Sequence, residues 1–222
     1  EAANYDSALI WLSRVPPASA FGLEAGFYAG VCHLLRNDAP RAEAAFRALI
    51  ERPWYTNGAT GLAARRMDLP EVLNNLAIAL SRQGKWSEAQ ALWEQLRRVS
   101  PVEPTFAFNL GLGAYRAGES EAAIAAMREA LNSRADDATR VLLALLLERA
   151  GNKAEAEVVR AACETEGCDP SEEIKALAAG SAAVELARLE RISTTLDLVT
   201  WYLTAEGREP AGGNGGGARR PR

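Results

Sequence analysis

Between Pro70 and Pro101 the apolar positions fall in two helical stretches. Leu73, Leu76, Ala77 and Leu80 mark the first, and Ala89 and Trp93 the second. Three- and four-residue spacing puts each set on one helix face. Gly84 separates them and Pro101 closes the unit. The pattern returns at once from Pro104 to Ala135: Gly84 to Gly118 is 34 residues, and so is Ala89 to Ala123. A fixed period of this length predicts stacked helix pairs, each too small to bury its apolar face alone.

The same register extends in both directions. Residues 1–17 read as the second helix of a partial repeat that Pro16 and Pro17 stop. A full repeat covers 23–50, with Asn37 standing where Gly84 and Gly118 stand later, because Asn tolerates the left-handed conformation that ends a helix. Repeats at 70–101 and 104–135 are followed by one at 137–164, whose second helix is poor in large apolar residues, as an array near its end requires. An extra 13 residues lie within 52–69; their Pro, Asn-Gly and Gly content predicts a loop with a short helical turn near Leu62 to Arg66. Trp54, Tyr55, Arg65 and Arg66 make it the most interaction-prone loop, although aromatics there also serve to plug the core between repeats. Asp169-Pro170-Ser171-Glu172 is a helix-start signal, and 170–205 is predicted to be a helical cap. The Gly/Arg stretch 206–222 lacks the apolar residues needed to offset ordering and is predicted to be disordered.

These residues resemble the tetratricopeptide repeat family. The resemblance rests on Leu76-Ala77, Gly84, Ala89, Trp93 and Pro101; on Leu110-Gly111, Gly118, Ala123 and Met127; and on the matching Ala29-Gly30, Ala42 and Phe46, and Leu143-Ala144, Gly151 and Ala156. It spans about residues 1–165. It implies an all-α fold, a right-handed α-solenoid of antiparallel helix pairs, here with a C-terminal capping helical segment. Small Ala77, Gly111 and Ala144 are expected opposite Ala89, Ala123 and Ala156, letting helix axes approach to about 8–10 Å. The first helix of each pair is expected to line a concave groove. The groove candidates are Asn74, Asn75, Ile78, Phe108, Asn109, Leu112, Val141 and Leu145, all expected to be exposed there. Asn carries a donor and an acceptor, so it can hold an extended peptide's backbone whatever its sequence. The resemblance implies that use for Asn75 and Asn109. No basic pair stands in their place, which gives no support to the carboxylate clamp of chaperone-binding members. The groove turns apolar toward Leu145, inviting either a partner helix or the chain's own 170–203 segment.

Composition adds mainly exclusions. Net charge is −4, and the tail arginines Arg219, Arg220 and Arg222 leave the rest near −7, so no phosphate-binding surface for nucleic acid is expected. The longest aliphatic run, Val141 to Leu147, is far short of the ~20 residues of a membrane span. The single histidine, His33, cannot build a metal site, which needs three or four converging ligands. There is no phosphate loop, nucleophile elbow or zinc spacing, and Glu172–Glu173 read as first-turn helix charges; no enzyme activity and no cofactor are expected. Cys32, Cys163 and Cys168, an odd number without framework spacing, are read as ordinary thiols.

The function these features point to is a non-enzymatic scaffold binding a peptide or helix of another protein, with self-association through the apolar C-terminal segment as a further possibility. The alternative is an accessory region of a larger enzyme or sensor: the chain begins at Glu1 inside a repeat, so upstream sequence is expected. An Ala- and Arg-rich composition suggests a bacterial source, with the cytoplasm favoured and the cell envelope open.

Overall fold

The computed structural model describes residues 4–19, 21–51, 54–58, 61–65, 69–169, 172–178 and 189–194. Helices follow one another in pairs: α1 (Tyr5–Leu12), α2 (Gly22–Leu35) with α3 (Ala39–Glu51), α4 (Pro70–Arg82) with α5 (Trp86–Val99), α6 (Pro104–Ala117) with α7 (Ser120–Ser133), α8 (Asp137–Arg149) with α9 (Lys153–Glu166), then α10 (Glu172–Ala178). From α1 to α9 each helix packs against the next, α10 packs against α8, and α4 also meets α2 and α6. The result is an α-solenoid.

The helix ends follow from local chemistry. Pro70 and Pro104 open α4 and α6, where a missing N–H costs little. Asp136 caps α8 by accepting the Thr139 N–H at 2.9 Å. Each first helix ends on a left-handed residue; Gly118 has φ 81°, and Asn37 takes the same role at φ 58° as the non-glycine member of the series.

Small residues do bring the paired helices together. A β-carbon built on Gly111 would lie 3.3 Å from the Ala123 carbonyl oxygen and 2.9 Å from the Met127 methyl; one on Gly30 would lie 2.5 Å from the Phe46 ring. Ala77, Ala89 and Ala123 are fully buried, as are Phe46, Trp93 and Met127. Two apolar clusters result. The first runs from α2 to Ala126 of α7, and the second from α6 to α10 and Leu189, with Trp86 against both.

Polar contacts join α3 to the turn between α4 and α5. Glu43 on α3 accepts hydrogen bonds from Lys85 Nζ (2.6 Å), Gln83 Nε2 (2.7 Å) and Arg47 Nε (2.8 Å). Burial alone would raise the Glu43 carboxyl, but these donors outweigh it and hold the pKa at about 2. A carboxyl depressed in the fold stabilises fully above its ordinary value near 4.5 and loses that contribution as pH falls toward 2. Glu43→Gln is therefore expected to cost about 2–3 kcal/mol at pH 7 and progressively less below pH 4, read by urea midpoints against pH. An equal loss at pH 7 and pH 3 would contradict this account.

Two sequence expectations are corrected here. Within the 52–69 insertion, the described residues are not loop with a helical turn: β1 (Trp54–Gly58) and β2 (Gly61–Arg65) pair as antiparallel strands, with Trp54 opposite Arg65 and Gly58 opposite Gly61. The aromatic and β-branched run Trp54-Tyr55-Thr56 favours a strand; Gly61 to Arg65 carries no such preference and is extended by pairing with it. Cys163 and Cys168 are not ordinary thiols but a disulfide; Gly167, at φ 70°, turns the chain at the end of α9 and brings Cys168 back toward it. Cys32 is the free, buried cysteine. Alkylation of unreduced, denatured chain should accordingly label one thiol, and after reduction three; three labels without reductant would remove the bridge. The expected cap falls partly on α10, whose Ile174 and Leu177 join the second cluster. Residues 189–194 of that expectation are not helical, being held in an extended course by side chains of α4 and α6; 170–171, 179–188 and 195–205, and the Gly/Arg tail, lie outside the described residues.

Candidate functional site

One face of α4 and α6 is occupied by the chain itself. Residues 189–193, Leu-Glu-Arg-Ile-Ser, lie across the two helices and are held mostly by side chains. Asn109 Oδ1 accepts the Arg191 N–H at 2.8 Å, and its Nδ2 donates to the Arg191 carbonyl at 3.0 Å. One repeat earlier, Asn75 treats Ser193 identically: Oδ1 accepts its N–H at 2.9 Å and Nδ2 donates to its carbonyl at 2.8 Å. A carboxamide carries the donor and acceptor of a peptide group, so each Asn pairs with one residue as a neighbouring strand would. The 34-residue interval of the helices thus becomes a two-residue interval along the bound segment.

Asn74 ties the clamps together. Its Oδ1 accepts from Trp93 Nε1 (3.1 Å) and Asn109 Nδ2 (3.0 Å), while its Nδ2 donates to the Arg191 carbonyl (3.1 Å) and Ser193 Oγ (3.2 Å). Asn74, Asn75 and Asn109 are consequently buried, not exposed as the sequence reading expects, and their polar atoms are satisfied by the segment that covers them.

A charge cage adjoins the clamps. The Glu190 side chain is only 1% exposed, with Arg82 Nε at 2.7 Å from one oxygen and Arg116 Nη2 at 2.7 Å from the other. Arg82 is anchored by the Leu34 carbonyl at 2.6 Å and Arg116 by Ser81 Oγ at 2.7 Å. No basic pair stands in place of the asparagines, but an arginine pair does stand two helical turns further along the same faces. The missed signal is plain in hindsight: Arg82 and Arg116 are also 34 residues apart, each seven after an asparagine.

Arg191 extends the site toward α8. Its guanidinium lies 3.7 Å from the centre of the Phe108 ring and donates to Asp136 Oδ2 (2.8 Å) and Thr139 Oγ1 (3.2 Å). Burial would raise the Asp136 carboxyl, but the Thr139 N–H and the Arg191 guanidinium outweigh it, keeping the group ionised below its ordinary range. Acid therefore weakens this end of the segment as pH falls through that lowered value.

The remaining candidates separate from this constellation. Ile78 sits in the first core cluster, against which Ile192 packs, and Leu112 in the second; both are buried rather than offered to a ligand. Val141 and Leu145 line a small cleft with Val159, Arg160 and Cys163 of α9. They lie on the α9 side of α8, Leu145 buried in the second cluster and Val141 packed against it. His33 is half-buried, its Nδ1 3.9 Å from Asp38, and burial pushes its pKa down. Among the described residues, no cluster of His, Cys, Asp or Glu is arranged to hold a metal ion, and no helix is long and apolar enough to cross a membrane.

A stack of helix pairs with small residues at the crossings and left-handed first-helix ends is an α-solenoid of the kind tetratricopeptide repeats build. Residues 74–140 match the tetratricopeptide repeat family in sequence. Among solved structures the fold is similar to a crystal structure of MamA (TM-score 0.61, 17% identity, covering 74% of this chain and 90% of that one). It is likewise similar to MamA AMB-1 (TM-score 0.56, 21% identity, 74% and 91%). Identities of this size speak to the fold alone. No curated protein sequence matches the chain.

Proposed function

We propose that this protein is a non-enzymatic interaction scaffold whose concave face binds an extended segment of protein chain. The observation that carries the reading is the double grip of Asn75 and Asn109 on the N–H and carbonyl of alternate residues. Such a grip reads backbone and leaves identity to the pockets alongside, a division of labour seen wherever an extended peptide docks. The tetratricopeptide class and the absence of a nucleophile–base set among the residues named above support a binding role over a catalytic one.

The test uses a chain whose own segment is disabled by Ser193→Pro, which removes the N–H that Asn75 accepts. Random peptides displayed on phage should be enriched by that chain. The enriched sequences should lose binding, by tenfold or more, when Asn75→Ala and Asn109→Ala are added. Binders indifferent to both asparagines would move the interaction to another face.

A further inference from the structure

The segment in the groove differs from a structural cap in how it is held. Caps bury apolar surface; here Leu189 is buried but Arg191, Ile192 and Ser193 are only half-buried and Thr194 is exposed. The strongest contacts are polar and charged: two asparagines on backbone groups and two arginines on one carboxylate. Desolvating Glu190 with Arg82 and Arg116 is a poor way to stabilise a fold, since an apolar side chain of similar size generally does as well or better. It is a good way to discriminate, because any other residue at that position leaves desolvated cations without their counter-charge.

The geometry also divides receptor from ligand. Every holding pair recurs at the repeat interval, Asn75 with Asn109 and Arg82 with Arg116, whereas Leu189 to Ser193 repeats nothing. The periodic side is the reader and the aperiodic side is what is read. Subsites can be assigned accordingly. Glu190 enters the arginine cage, Arg191 lies over Phe108 against Asp136, Ile192 packs on the first cluster, and Ser193 Oγ meets Asn74.

The geometry points to residues 189–193 as a self-ligand: an internal copy of the segment that the partner brings, occupying the groove until the partner displaces it. The partner class that follows is a protein with an extended, solvent-accessible stretch of the form acidic–basic–apolar–small polar, its acidic side chain internal to the chain. This inference rests on the groove reading above. Because the strap is tethered, its effective concentration is in the millimolar range, so a partner succeeds by multivalency or by contacts beyond these four residues.

The probe is a fluorescein-labelled synthetic peptide of residues 187–196, added to the full chain and followed by anisotropy. Wild type should bind it at least tenfold more weakly than the Ser193→Pro chain. The Glu190→Lys chain, whose lysine the arginine cage repels, serves as a second strap-ejected form should proline perturb folding. A peptide with glutamine at the position of Glu190 should bind the ejected chains about 30-fold or more weakly than the parent. Excess parent peptide should also remove hydrogen-exchange protection from the Arg191 and Ser193 amides of wild type.

Equal binding of the glutamine peptide would overturn the acidic partner class while leaving the backbone-reading groove intact. Equal binding by wild type and ejected chains would overturn displacement. No binding to either ejected chain would sink the groove reading itself. Mixed dimers between wild type and the Ser193→Pro chain, detected by light scattering, would make a second copy the occupant and overturn a separate partner.

Discussion

Trp93→Ala is expected to lower stability by about 3–5 kcal/mol, the range for removing a large aromatic from a close-packed interior, and the melting temperature by about 10 °C. The side chain is 1% exposed, lies with Trp86 in the seam between α4, α5 and α6, and presses on Gly113, whose missing β-carbon would lie 2.8 Å from its ring. Its Nε1 also donates to Asn74 Oδ1, the atom that accepts from Asn109. The substitution should therefore loosen the groove as well as the core. Trp93→Phe, which restores much of the volume but not the donor, should recover most of the thermal stability and less of the strap's protection from exchange. Calorimetry and exchange on the two variants separate these effects; a phenylalanine that restores both equally would show that the indole hydrogen bond contributes nothing.

Glu190→Ala is expected to free the strap without unfolding the array. Removing one member of a buried ion pair typically costs about 3–5 kcal/mol because the partner charge stays desolvated. Here Arg82 and Arg116 regain water once residues 189–193 lift away, so the loss cannot exceed the docking free energy of that segment. Exchange at the Arg191 and Ser193 amides should rise by about 100-fold or more, while amides in α2 to α7 keep their protection. A uniform loss across all helices with the strap still protected would reverse this assignment and make Glu190 part of the fold's foundation.

How far the sequence reaches depends on the range of the interaction. Helix starts at Pro70 and Pro104, stops at Asn37 and Gly118, and close crossings at Gly111 and Ala123 are legible because the repeat restates them at one interval. Four registers agreeing outweigh any local ambiguity. The hairpin at 54–65 and the Cys163–Cys168 bridge are outside that redundancy: each occurs once, and Gly and Asn signal a turn without saying what pairs across it. The groove falls between. Asn74, Asn75 and Asn109 stand out by period and chemistry, yet their burial depends on a segment over 80 residues away that shares no pattern with them. Arg82 and Arg116 were visible at the same interval, but a lone Arg near a helix C-terminus already has a local explanation in the helix dipole, and so draws no notice.

The spacing of the two asparagine grips has a mechanical corollary. Two residues of extended chain advance about 7 Å, whereas packed helix axes stand about 8–10 Å apart. A ligand anchored at both Asn75 and Asn109 therefore bridges α4 and α6 and limits how far the two helices can separate. Separation of those helices and the hold on the segment are thus linked: a pull that moves α4 away from α6 is expected to part the two grips and release what lies between them.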